Sequence, residues 1–366
     1  MNKKALFLLS ALVLGATVGC DNNNNSTNTN NSTNNPAPTA EKYSVGLGYT
    51  AKYEWKAASA WAPAMGQLDV TTAFAAFDKD GKVYDVRFDV VQVKVVANTD
   101  EGATEALKLQ SALVDGSVQT KLELGSAYGM KDTSAEGGLI EGGAEVNTQI
   151  EAFADWCVGK TPAEVVAGTT GAGHGEEAVA PSLEGKVTIT VDDFEAALNH
   201  AFAHKTDATY ELSGTAGIAM NSGFGYSYGT AEISVDVAGV IAKNGTVEAA
   251  KVDAIVCQLD FNAEDSTASV KAGQKYVVDG KFVSKYDLGD AYAMAERNEG
   301  QEGCTKEWNE QADIIAKAAE GKTIDQIKAL VADTGDLAGA TIYLNSYTSA
   351  LAKAADYAGR TVINPN

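Results

Sequence analysis

The sequence predicts an α+β fold built twice over in tandem, and three observations carry that prediction. A seventeen-residue block recurs, each copy places alternating apolar and polar segments before helix-like ones, and Asp-Gly or Asn-Gly pairs separate the apolar runs. The stretch from Val114 to Met130 matches the stretch from Val278 to Met294 at nine of seventeen positions without a gap. Chance gives about one such match, so the repeat organises the rest of the reading.

Each copy can be followed element by element. Upstream at the same spacing, Phe77-Asp78-Lys79-Asp80-Gly81-Lys82-Val83 corresponds to Ile241-Ala242-Lys243-Asn244-Gly245-Thr246-Val247, a hairpin signature between β-branched runs. Val83 to Val90 alternates apolar and polar residues, as half-buried antiparallel strands do. Helices follow near Glu145 to Val158 and Lys306 to Ala319. Thr161-Pro162-Ala163-Glu164 and Thr323-Ile324-Asp325-Gln326 then read as capping boxes that open short helices. Final helices are expected near Asp193 to Ala203 and Ser346 to Tyr357. Just before them lie two related turns, Ser182 to Ile189 and Thr334 to Ile342, each with a glycine and a threonine hydroxyl. A Gly-rich insertion around Thr169 to Gly175 lengthens the first copy. Period and boundaries give two domains, residues 41–204 and 205–366.

Residues 1–19 read as an export signal. Lys3 and Lys4 precede an apolar run too short to span a bilayer stably, and Thr17-Val18-Gly19-Cys20 is a lipoprotein cleavage pattern ending on the lipidated Cys20. A plainly cleaved signal is the alternative. Residues 20–40 are an Asn/Ser/Thr-rich tether, too polar to offset its own ordering entropy. The expected location is extracytoplasmic, anchored to the cell membrane through lipid on Cys20. The whole chain carries 28 basic and 49 acidic residues, a net charge of −21. Such acidity argues against nucleic acid as a partner.

Several chemistries can be set aside. Cys157, Cys257 and Cys304 are odd in number and widely spaced, so they read as buried or incidental thiols. His200 and His204 stand four apart on a helix, but the sequence shows no third ligand and the second copy has no such pair, so no metal is expected. His174 belongs to the inserted loop. With no histidine in the second copy, a nucleophile–histidine mechanism cannot operate in both copies, and no catalytic residue is assigned. Asp192-Asp193 reads as a helix cap. Neither Gly137-Gly138, Gly142-Gly143 nor Gly159-Lys160-Thr161 has the context of a phosphate loop.

Both copies keep the Leu-Gly-x-Ala-Tyr-x-Met block, the Gly-Lys-Thr helix start and the hydroxyl turn. Gly339-Ala340-Thr341, with Asp336 upstream and Asn345-Ser346 downstream, resembles the attachment motif of the FMN-binding domain family, in which the cofactor phosphate is bonded to the threonine hydroxyl. Lys285 to Met294 and Glu307-Trp308-Asn309-Glu310-Gln311 add to the likeness, which covers residues 41 to 358 and resembles tandem, extracellular electron-transfer flavoproteins. The chain departs from the motif at Ala338, where the family has Ser or Thr, and in the first copy, which reads Gly185-Lys186-Val187-Thr188.

The resemblance implies two covalent FMN groups, on Thr188 and Thr341, with Tyr128, Met130, Tyr292, Met294, Gly185 and Gly339 as possible contacts. The tyrosine and methionine pairs read equally well as core residues, as do Tyr49, Tyr53, Trp55, Tyr226 and Tyr228. It also implies an electron carrier rather than a substrate-specific enzyme. Its partners would be a membrane redox enzyme or quinone pool, extracellular acceptors, and a flavin transferase of the ApbE type. The competing class is a non-redox surface lipoprotein that binds a ligand or mediates adhesion without flavin.

Overall fold

The computed structural model describes residues 41–60, 63–136, 139–169, 182–227, 230–260, 271–297, 305–332 and 334–359, which belong to a compact unit spanning Ala40–Asn366. The signal, Cys20, the tether, Gly137-Gly138, His174, Tyr228 and Cys304 lie outside the described residues. The fold is α+β.

Strands β1 (Ser44–Lys56), β2 (Met65–Phe77), β3 (Val83–Ala97) and β4 (Leu107–Leu109) form an antiparallel sheet in that order. A ribbon of β5 (Leu113–Val114) and β6 (Ser117–Val118) leads into α1 (Lys121–Leu124) and α2 (Lys131–Ala135). Three further helices follow: α3 (Val146–Cys157), α4 (Pro162–Thr169) and α5 (Asp192–Ala203). The same sequence of elements then recurs. Strands β7 (Thr215–Ser227), β8 (Thr230–Lys243), β9 (Thr246–Asp260) and β10 (Lys271–Ala272) make a second antiparallel sheet. The ribbon β11 (Val277–Val278) and β12 (Lys281–Phe282) precedes α6 (Lys285–Leu288) and α7 (Met294–Arg297). The closing helices are α8 (Trp308–Ala319), α9 (Ile324–Lys328) and α10 (Asn345–Tyr357).

The hairpin expected at Asn244-Gly245 joins β8 to β9, with φ of 52° and 76° at those residues. Its counterpart joins β2 to β3, where the Asp78 carboxylate accepts from the backbone N–H groups of Asp80 and Lys82. Both capping boxes are present, at Thr161 and Thr323. Asp192-Asp193 is different from expectation. Val191 is the N-cap residue of α5 and makes no side-chain cap, so both acids lie within the first turn, where Asp193 pairs with Lys52 at 2.7 Å.

The period-two pattern sorts the strand residues onto two faces. Val45, Leu47, Leu68, Val70, Val91 and Val93 of the first sheet pack with Ile218, Ile233, Val235, Ile255 and Cys257 of the second, in one core shared by both copies. The opposite faces meet helices. Phe77, Phe88 and Val90 pack on Phe153, Phe194 and Leu198, while Val240, Val252 and Ala254 pack on Trp308, Ile315 and Leu351. The layers are therefore helices, sheet, sheet, helices. Cys157 and Cys257 are free and buried.

Gly46 and Gly217 let α5 and α10 approach their sheets closely. A Cβ at Gly46 would lie 2.0 Å from the carbonyl oxygen of Ala201, and one at Gly217 would lie 2.0 Å from that of Ala354. The obstacle is helix backbone, which cannot move aside without displacing the element. Gly46→Ala and Gly217→Ala should each cost about 1–3 kcal/mol, whereas Gly223→Ala, where a Cβ would meet nothing within 4 Å, should be near neutral. Denaturant unfolding of the three variants measures this directly.

Candidate functional site

Thr188 and Thr341 do not lie in strands. Each occupies an irregular segment leading into α5 or α10, and each is partly exposed. What holds each of them is a buried glutamine from a helix of the same copy, of which only Gln311 falls within a segment the family likeness covers by motif. Gln149 of α3 is fully buried, and its Oε1 accepts from Thr188 N–H at 2.6 Å, Thr188 Oγ1 at 3.0 Å and Ile189 N–H at 3.2 Å. Gln311 of α8 is equally buried and does the same for Thr341 N–H at 2.7 Å, Thr341 Oγ1 at 3.3 Å and Ile342 N–H at 3.0 Å. The amide nitrogens donate to Ala144 O and Lys306 O, both at 3.1 Å, which fixes the amide orientation. Gln149 and Gln311 sit at the same place in the two copies, so the clamp on the hydroxyl is duplicated.

The repeated methionines join this arrangement from the other side. Glu145 and Glu307, the N-cap residues of α3 and α8, accept from the backbone N–H groups of Met130 and Met294 at 3.0 and 2.7 Å. In the second copy Gln311 Nε2 also reaches Met294 Sδ at 3.7 Å. Tyr292 stacks with Tyr276, ring centroids 6.4 Å apart, and the Lys285 ammonium lies 5.7 Å from its ring. In the first copy Lys121 lies 5.2 Å from the Tyr128 ring. Tyr128, Met130 and Thr188 line a single cavity of about 660 Å³, together with Phe194, Lys52 and Lys121. Such a volume suits a small organic ligand.

Gly185 and Gly339 both adopt the left-handed conformation, with φ of 72° and 86°. A Cβ at Gly185 would meet open space, whereas one at Gly339 would lie 3.2 Å from the stem of Lys306. Two residues beyond Thr341, the Tyr343 ring is 75% exposed. Of the aromatic residues flagged on the strands, Tyr49 is buried in the shared core with Tyr53 and Trp55 packed against it, and the Tyr226 hydroxyl accepts the Leu107 N–H at 2.8 Å. These serve packing between the copies.

A second repeated feature lies beneath α1 and α6. Asp89 Oδ1 accepts from Val90 N–H at 2.7 Å and Leu122 N–H at 3.1 Å, and Asp253 Oδ1 accepts from Ala254 N–H at 2.6 Å and Tyr286 N–H at 3.1 Å. Burial pushes both carboxyls up to about 7, against the favourable pull of those donors and of the Thr120 and Ser284 hydroxyls.

The expected absence of a third ligand beside His200 and His204 is corrected. Their ring nitrogens and a carboxylate oxygen of Asp287 lie within 4.8 Å of one another. Asp287 comes from the second copy, on α6, and only the packing of the two copies brings it there.

No protein-family model and no solved structure matches the chain. Among curated proteins, a chlorophenol reductase of Desulfitobacterium hafniense is 32% identical over 133 residues, which is 35% of this chain and 38% of that relative. The chain thus spans less than two fifths of the length of the relative it matches. Among the described residues no helix is long and apolar enough to cross a membrane.

Two measurements check this geometry. Gln311→Ala removes the shared acceptor and strands two backbone donors, so unfolding free energy should fall by about 1–3 kcal/mol, with faster amide exchange at Thr341 and Ile342. The second concerns pH. Because the folded-state values of Asp89 and Asp253 lie above the ordinary 3.8, the fold binds protons that the unfolded chain releases. Their stabilising protonation is complete below about pH 4 and is lost as pH rises through about 7. Glu151, raised by burial to about 7, adds to the slope. The thermal midpoint should fall across that window, and Asp89→Asn with Asp253→Asn should flatten the decline.

Proposed function

We propose that Thr188 and Thr341 each carry FMN through a phosphodiester and that the chain is an electron carrier, held by lipid on Cys20 to the outer side of a cell membrane. The observation that carries the proposal is the duplicated clamp, in which a buried glutamine presents a partly exposed threonine hydroxyl in each copy. The donor set fits such a linkage. Esterification removes the Oγ1 proton and with it one of three hydrogen bonds to each glutamine oxygen. The two backbone N–H bonds remain, so the segment stays in place.

The residues around the hydroxyls fit a flat ring with an anionic tail. In the first copy Tyr128, Met130 and Phe194 offer polarizable and aromatic surface and Lys121 offers a cation for a phosphate, while Lys52 in the same lining is paired with Asp193. In the second copy the Lys306 stem lies against the Gly339 turn and Tyr343 stands exposed beside Thr341. The helix that follows differs between copies. The first turn of α10 carries no acid and favours an anion, whereas that of α5 carries Asp192, Asp193 and Glu195, which oppose one. Lys121 would have to supply the balance in the first copy. FMN supplies reversible electron transfer when bound, and the chain's own part is to hold it, shield one side and set its access to partners.

The partial relative is named for a reduction, which touches redox chemistry in general and leaves the flavin to rest on the site. Mass spectrometry of the exported protein from a host with an active flavin transferase tests the proposal. Each site should add roughly 438 Da, the mass of FMN less water, with Thr341→Ala and Thr188→Ala each removing one increment. An unmodified, colourless wild-type protein from that host would instead indicate a non-redox surface lipoprotein.

A further inference from the structure

The two copies grip each other through corresponding contacts that differ in chemistry. On one side Lys353 Nζ of α10 lies 2.5 Å from Glu123 Oε1, and the Tyr357 hydroxyl donates to the same oxygen at 3.1 Å. On the other side the repeat places His200 and His204 of α5 where Lys353 and Tyr357 stand, and Asp287 where Glu123 stands. His200 Nε2 lies 2.9 Å from Asp287 Oδ2 and His204 Nε2 lies 3.9 Å from Asp287 Oδ1. The two imidazoles stack with centroids 4.2 Å apart.

His204 Nδ1 is 3.0 Å from the carbonyl oxygen of His200, which can only accept, so Nδ1 carries a hydrogen and Nε2 is the ring atom turned toward Asp287. Nε2 faces a carboxylate oxygen at 3.9 Å, beyond hydrogen-bond reach. The carboxylate is itself oriented from behind. The Tyr49 hydroxyl donates to Asp287 Oδ2 at 2.8 Å and accepts the Ser284 N–H at 2.7 Å. Outer partners of this kind fix the ligands of metal sites.

We propose that His200, His204 and Asp287 bind one divalent transition-metal ion of the zinc class, which bridges the two copies. In the reciprocal contact the Lys353 ammonium is a built-in cation, and here an ion takes that role. Two imidazoles and one carboxylate select zinc and its neighbours over magnesium or calcium, which prefer all-oxygen shells. Ligands of one ion with bonds of about 2.0–2.2 Å sit roughly 3–3.5 Å apart. The three ligand atoms lie within 4.8 Å of one another, so a movement of His204, whose side chain is 47% exposed, draws them to that spacing, and its exposure lets solvent complete the shell. Nothing in this inference depends on the flavin.

The test uses the full chain, stripped of metal with a chelator and titrated with Zn²⁺ against a chromophoric competitor. One Zn²⁺ per chain is expected, resistant to millimolar Mg²⁺, with a rise in thermal midpoint. His204→Ala, with its rise in thermal midpoint read against its own metal-free melting curve, should weaken binding at least about tenfold and abolish the rise, and Asp287→Asn should do the same. The proposal is overturned if the wild type shows no saturable single site, or if His204→Ala binds Zn²⁺ as tightly as the wild type, since the ion would then sit elsewhere on the acidic surface.

Discussion

Each sheet is apolar on both faces, and that constraint decides the architecture. Helices from the same copy cover one face, through Phe153, Phe194 and Leu198 in the first and Trp308, Ile315 and Leu351 in the second. The other face, with Val45, Leu68, Val91 and Val93 fully buried, has no helix of its own copy left to meet. Burying one such side chain is worth about 1.5–3 kcal/mol, so a row of them left in water would outweigh the marginal stability of a domain. The second sheet covers it. Duplication thus does more than supply two sites, because each copy completes the core of the other.

The coarse fold was readable in the sequence because its signals are local. The strand over Val83 to Val90, the Asn244-Gly245 turn and the capping box at Thr323 depend on near neighbours along the chain and stand where expected, but the strand is buried on both faces, Arg87 and Asp89 included, where its alternation suggests half-burial. What the sequence hid is what folding brings together from afar. Gln149 and Gln311 lie on helices the sequence predicts, yet nothing local marks them as fully buried acceptors for segments some thirty to forty residues on. Asp89 and Asp253 looked like the polar phase of a strand and are instead buried caps of short helices. A comparison of the copies could have found all four, since each pair occupies equivalent positions and neither member is explained by local pattern. Asp287 could not be found that way, because its histidine partners exist on one side only.

That asymmetry says how the copies have diverged. Packing is held in common: Gly46 and Gly217 still admit a helix carbonyl at the same place. The polar contacts between copies are free to change so long as charge is matched, and they have, with Glu123 meeting Lys353 and Tyr357 on one side and Asp287 meeting His200, His204 and Tyr49 on the other. A partly buried carboxylate needs a cation or several donors beside it. Both solutions satisfy that need, and the geometry of the surrounding helices is the same either way.

The clamp on the threonines follows a stricter rule. In each copy the glutamine oxygen takes two backbone N–H bonds as well as the hydroxyl, so the backbone alone is enough to position the segment and the hydroxyl bond is redundant. A buried side chain on a helix thus holds each partly exposed threonine in one position. The helices α3 and α8 are therefore the frame that holds each threonine segment, beside left-handed glycine turns that leave open space at Gly185 and pack on the Lys306 stem at Gly339.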